Sequence, residues 1–99
     1  MSQNQHHCPA LNEDEIESRL KEELPHWVYE KGWIRRKIKT SGWKATLMVV
    51  NTVGHLAEKA WHHPDIDVRW NKVTVTLTTH DAGGLTEKDF ALAQKFDQL

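Results

Sequence analysis

The stretch AEKAWHHPD, Ala57 to Asp65, sets two adjacent histidines before a proline, the first of them four residues after a glutamate. Imidazole is the side chain whose ordinary pKa lies nearest neutrality, so it can both take and give a proton under mild conditions. If this stretch ends a helix, Glu58 and His62 are neighbours at i and i+4. The carboxylate would then orient the ring and select its tautomer. The exposed carbonyls of the helix end would favour a cation at the same place. His63 precedes Pro64 and is biased toward extended backbone. The two rings should therefore point in different directions, one as acid or base and the other gripping a ligand. A third histidine, His80, ends the strand-like run VTVTLTTH and is followed by Asp81.

Three readings compete for this set. Seven histidines in 99 residues is many, so some are incidental surface residues. A zinc site is a second reading, since imidazole is a common ligand. Zinc wants a third or fourth strong ligand, however, and Asp81 is the only nearby candidate. Adjacent histidines also bite one ion poorly, whereas metal-binding helices space theirs at i and i+4. General acid–base catalysis is the third. It fits neutral-range groups, a carboxylate to orient them, and strand-end threonines, Thr78 and Thr79, able to hydrogen-bond a polar ligand. The chain has no GxSxG, no P-loop and no CxxC. Its one cysteine, Cys8, lies in a polar arm and cannot form an internal disulfide. His6, His7 and Cys8 could hold a metal in principle, but a frayed terminus is the preferred reading.

Composition narrows the partners. Lys plus Arg number 13 and Asp plus Glu 14, so the charge is nearly balanced and no case for nucleic acid follows. The one basic cluster, RRKIK at Arg35 to Lys39, is interrupted by Ile38. No apolar run approaches the about 20 residues of a membrane span. The start has neither the basic nor the apolar region of a secretory signal, which makes the cytoplasm the expected compartment. Hydrophobic residues make up 38% of the chain, enough for a modest core that leaves room for a partner subunit.

The elements that must position the histidines follow from local patterns. Residues 1–9 read as a flexible arm and 10–99 as one domain. Asn12 and Glu15 form a capping-box-like pair with Leu11 and Ile16 as a staple. Ile16, Leu20 and Leu24 make one helical stripe ended by Pro25. HWVYEKGWIRRKIK reads as a hairpin turning at Lys31-Gly32, with Trp27, Tyr29, Ile34 and Ile38 on one face and Arg36 intruding. A second helix is expected from Ser41 as N-cap to about Ala60. It has two apolar stripes: Trp43, Leu47, Val50 and Ala57; then Met48, Val49, Val53, Leu56 and Ala60. Such a helix must be buried on two sides. DVRWNKVTVTLTTH predicts a hairpin turning at Asn71-Lys72, with Trp70, Val68 and Ile66 opposite Val73, Val75 and Leu77. Extended, that register sets Thr79 opposite Pro64 and His80 opposite His63. After a Gly83-Gly84 turn, Thr86 caps a third helix, Asp89 returns a bond to the cap, and Leu85 and Phe90 form a staple. The order α-β-β-α-β-β-α predicts the α+β class, a four-stranded antiparallel sheet with three helices packed on it.

Glu58, His62-His63-Pro64, the strand ending in His80, and GGLTEKD with Asp89 after Thr86 together resemble the pterin-4a-carbinolamine dehydratase family, with order and spacing matching over roughly residues 55 to 92. The resemblance implies dehydration of 4a-hydroxytetrahydropterin to quinonoid dihydropterin plus water, supporting tetrahydropterin recycling, with no metal and no organic cofactor. It implies that His62 and His80 are the proton-transfer pair and that His63 positions the pterin with some chemical role. Pro64, Thr78, Thr79 and Asp81 would line the substrate site. Glu58 would orient His62, and Asp89 would support the site or simply cap the third helix. The position of Asp81 varies in the family, and a charge there would alter the acid strength at His80. The family also implies a homodimer through sheet edges or a homotetramer through a helical bundle. An aromatic amino-acid hydroxylase is a partner it allows. Some members serve as dimerisation cofactors instead, so an assembly factor or a non-catalytic pterin-binding protein is the alternative.

Overall fold

Seven elements appear in the computed structural model, which describes residues 9–99: α1 (Glu13–Glu23), β1 (Val28–Glu30), β2 (Trp33–Lys39), α2 (Trp43–Ala60), β3 (Asp65–Arg69), β4 (Lys72–Leu77) and α3 (Glu87–Phe96). A 3₁₀ turn at His80–Ala82 sits between β4 and α3. The reading of His6, His7 and Cys8 falls outside the described residues. The strands form one antiparallel sheet in the order β1-β2-β4-β3, so the fold is α+β as the residue pattern predicts.

Local chemistry explains most element ends. Asn12 accepts the Glu15 N–H at 2.8 Å, and Glu13, Asp14 and Glu15 occupy the first turn, where the helix dipole favours anions. The β1–β2 turn is Lys31-Gly32, both with positive φ (45° and 94°), the geometry a two-residue hairpin asks for. Its register pairs Tyr29 with Ile34 and Glu30 with Trp33. Arg36, the intruder on the apolar face, reaches Asp97 just past α3, and the Trp27 indole N–H donates to the same oxygen at 2.8 Å.

The core lies between the helices and one sheet face. Ile34, Val73, Val75 and Leu77 from the sheet are fully buried, together with Ile16, Leu24, Val53, Ala57, Phe90, Ala93 and Phe96. On β4 the alternation is strict: Val73, Val75 and Leu77 face in, and Thr74 and Thr76 face out. Arg19 ties α1 to α3. It bonds Glu23 through Nε and Nη2 and Glu87 through Nη1, and it lies 4.4 Å over the Phe90 ring. The hydrogen bond from Arg19 holds the Glu23 carboxyl below its ordinary range, against the opposing pull of burial. A depressed carboxyl pKa adds stability above its unfolded value, and that stability is lost as pH falls through the folded value. Arg19→Ala should therefore cost about 1 kcal/mol at neutral pH. Urea unfolding should show the deficit narrowing as pH falls through the folded-state value of Glu23, below which the carboxyl is protonated in both states.

Two expectations about the second half are corrected. The β3–β4 loop is Trp70-Asn71, with Arg69 opposite Lys72, Val68 opposite Val73 and Ile66 opposite Val75. A two-residue displacement keeps every side chain on its expected face, so the hydrophobic pattern alone cannot distinguish the two registers. Contacts outside the hairpin decide it. The Thr46 hydroxyl, fully buried, donates to the Trp70 carbonyl at 2.9 Å, and the Thr40 N–H donates to the Asn71 carbonyl at 2.9 Å. Trp70 consequently sits exposed in the loop, and the pairs Thr79–Pro64 and His80–His63 do not form; the ladder ends at Asp65 opposite Thr76. The start of α2 moves too, since Gly42, not Ser41, holds the cap position, without a side-chain bond. Along α2, Val53 and Ala57 are buried and Val49, Val50 and Leu56 partly so, whereas Trp43, Leu47 and Met48 remain exposed.

Candidate active site

The end of α2 reverses the chain sharply. The Trp61 N–H bonds the Glu58 carbonyl and the His62 N–H bonds the Ala57 carbonyl, both at 3.1 Å. These are the two bonds of a Schellman motif, with Trp61 in the left-handed position (φ 52°, ψ 44°). The reversal carries His62 off the ridge of the helix, so the i, i+4 rule that would pair it with Glu58 no longer applies. Glu58 instead bonds His63, with Oε1 2.9 Å from Nε2, at an exposed corner. The expectation that Glu58 orients His62 is thereby corrected.

His62 is oriented by Asp89. Its Nε2 lies 2.6 Å from Asp89 Oδ1, the ring is only 12% exposed, and the carboxylate is wholly buried. The other carboxylate oxygen, Oδ2, accepts the Thr86 N–H at 2.9 Å and the Thr79 hydroxyl at 2.7 Å. The Thr79 and Thr86 hydroxyls are themselves 2.9 Å apart. Asp89 thus closes the capping box of α3 and holds His62 at the same time. A carboxylate acting only as acceptor calls for a hydrogen on Nε2. That tautomer leaves Nδ1 for exchange with a ligand.

His62, His63 and His80 share one cleft of about 520 Å³ with Thr78, Thr79 and Asp81, a size suited to a small molecule. Trp61 and Lys88 complete its wall. Neither was expected from the sequence, although both adjoin motif residues, Trp61 before His62 and Lys88 before Asp89. Pro64 is partly buried and does not line the cleft, while Glu58 and Asp89 act from behind it on His63 and His62. His80 and Asp81 begin the 3₁₀ turn after Thr79, which bridges to Gly84. The Thr78 hydroxyl donates to the Gly32 carbonyl at 2.7 Å and anchors this segment to the β1–β2 turn. Among the described residues no three His, Cys, Asp or Glu side chains gather as a metal-binding group.

The comparisons agree with one another. The profile described as Pterin 4 alpha carbinolamine dehydratase matches residues 9–99. A protein of Aquifex aeolicus (strain VF5), named as a candidate pterin-4-alpha-carbinolamine dehydratase, is 47% identical over 89 residues, 90% of this chain and 89% of its own. One of Chloroflexus aurantiacus (strain ATCC 29366 / DSM 635 / J-10-fl), named likewise, is 50% identical over 91 residues, 92% of this chain and 97% of its own. A transcriptional coactivator/pterin dehydratase from Brucella melitensis superposes with a TM-score of 0.83 at 32% identity, covering 90% of this chain and 96% of its own. A pterin dehydratase-like protein identified as a RuBisCO assembly factor in the alpha-carboxysome shares the fold (TM-score 0.60, 19% identity, 73% and 83% covered). By profile and by close relatives alike, the chain belongs to the pterin-4-alpha-carbinolamine dehydratase family.

Proposed function

We propose that the protein dehydrates 4a-hydroxytetrahydropterin to quinonoid dihydropterin, with His62 and His80 exchanging the protons. The observation that carries this reading is the convergence of three imidazoles on one cleft, one of them fixed by a buried carboxylate. In the reaction the C4a–O bond breaks and the oxygen departs as water with a proton from an acid. A base takes the N–H proton of the adjacent ring nitrogen, whose electron pair forms the new C=N bond. No electrons are gained or lost, so proton transfer is all that the site has to supply. Positioned proton transfers of this kind contribute about 10²–10⁴-fold each. His63, held by Glu58 at the cleft mouth, positions the pterin, and Thr78, Thr79 and Asp81 line the same space. The recycling of tetrahydropterin in the cytoplasm, after an aromatic amino-acid hydroxylase, is the setting that goes with this chemistry. No helix among the described residues is long and apolar enough to cross a membrane.

The test is to generate the 4a-hydroxypterin with a hydroxylase and follow its disappearance by ultraviolet absorbance. Wild type should accelerate the loss, and the His62→Ala/His80→Ala double variant should return it to the buffer rate with its circular dichroism unchanged. A wild type no faster than buffer rejects the enzyme in favour of the assembly or binding alternative. Self-association is part of the proposal, because α2 exposes Trp43, Leu47 and Met48 (55%, 41% and 62%) on the side away from the core. Leu47→Asp with Met48→Asp should lower the mass in analytical ultracentrifugation, and an unchanged mass would place any contact elsewhere.

A further inference from the structure

We infer that Trp61 is a stacking wall for the flat ring of the ligand, and that the chain holds an unfavourable backbone conformation to place it there. Three observations meet at this residue. First, it occupies the left-handed position of the Schellman motif, where a side chain clashes with its own backbone and glycine or asparagine is the usual solution. Second, the indole is 75% exposed, the highest value among the large hydrophobic residues described. Core packing therefore does not explain its presence at a strained site. Third, the ring lines the cleft and meets the His63 ring edge-on, with centroids 5.0 Å apart and planes at 79°.

These contacts form a sequence of supports. Glu58 fixes His63, and His63 braces Trp61, so an aromatic surface is set beside the cleft before any ligand arrives. An exposed indole in that position matches the broad face of a fused heteroaromatic ring, through offset stacking and the exclusion of water. The partner it suits is a pterin-like bicycle, and in this respect the inference rests on the pterin reading above. Trp61 acts on affinity, since an indole has no group in the neutral range with which to move protons.

The experiment compares wild type, Trp61→Asn and Trp61→Phe by calorimetric titration with 7,8-dihydropterin and by thermal unfolding. Asparagine accepts the left-handed backbone and removes the ring, so its Kd should rise about tenfold. Its Tm should rise by about 4 °C as the backbone strain is relieved. Phenylalanine keeps a ring at the same backbone cost, and its Kd should stay within about threefold of wild type. Loss of affinity together with gain of stability is a pair of signs that a purely structural tryptophan would not give. Trp61→Asn binding as tightly as wild type overturns the inference, as does a lowered Tm with unchanged Kd. Equal loss of affinity in both variants overturns the aromatic role. A wild type that does not bind dihydropterin overturns the pterin reading itself, and this inference with it.

Discussion

His62→Ala should lower kcat for dehydration by about 10³-fold, the largest effect of any single change at the cleft. Of the three imidazoles, His62 alone is mostly buried and held by a carboxylate that is itself fully buried. His80 stands exposed at the start of a 3₁₀ turn, and His63 is exposed at the mouth. A ring held by a buried carboxylate keeps one nitrogen in position for proton transfer, and the exposed Glu58 bond to His63 does so less firmly. His63→Ala should therefore act mainly through KM, and His80→Ala should fall between the two. Removing His62 also leaves one oxygen of Asp89 without its partner, which should cost about 1–3 kcal/mol of stability. Activity must accordingly be expressed per folded molecule, with the unfolding midpoint measured alongside. A kcat within about threefold of wild type would end the assignment of His62 to the chemistry, because a positioned proton donor or acceptor contributes more than that.

Asp89→Asn should separate orientation from folding. The asparagine side chain has one acceptor oxygen where the carboxylate has two. Three donors point at Asp89: the Thr86 N–H, the Thr79 hydroxyl and the His62 ring. If the amide oxygen stays with the threonines, the amide NH₂ faces His62 and demands an acceptor at Nε2. The imidazole must then carry its hydrogen on Nδ1, the nitrogen assigned to the ligand. A wrong-tautomer penalty of about 10²–10³-fold in kcat is expected, up to but not beyond the loss caused by removing the ring itself. Stability should fall by only about 1–2 kcal/mol, because the two threonine bonds survive and the bond to His62 is replaced by a neutral one of opposite direction. Asp89→Ala, by contrast, strands all three donors and should cost about 3–5 kcal/mol. The informative readouts are the pH profile of kcat for the asparagine variant and the Tm of both. Asparagine at wild-type kcat would show that the carboxylate serves the helix cap alone.

The parts of the fold that could be read from the sequence are those decided within a few residues. The Asn12 cap on the Glu15 N–H, the Lys31-Gly32 turn and the full capping box of Thr86 with Asp89 carry their own hydrogen-bonding logic, and each forms where its spacing places it. Apolar alternation places Val73, Val75 and Leu77 on the inner face for the same reason. The β3–β4 register lay beyond reach because two alignments, two residues apart, bury the same side chains. The choice falls to Thr40 and Thr46, which bond loop carbonyls 31 and 24 positions further along the chain. The Glu58–His62 pairing failed on a different point. The i, i+4 rule assumes that the helix continues, and nothing in the propensity of tryptophan predicts a left-handed residue at position 61. At Asp89 the capping role is local and legible, whereas its bond to His62 joins the end of α2 to the start of α3 and exists only after packing. The convergence of the three histidines was expected from the extended hairpin register as well as from the resemblance of the motifs, and it occurs although that register does not form. The threonine anchors and the wall formed by Trp61 and Lys88 required the folded chain.

One carboxylate closes the first turn of α3 and holds His62, so the competence proposed for the cleft waits on the docking of α3. His62 and Asp89 lie on different elements, and until α3 docks His62 has no carboxylate to orient it. On the chemistry proposed above, a first turnover would then mark the completion of folding, because the ring that exchanges the proton is set only when the last helix seals the core.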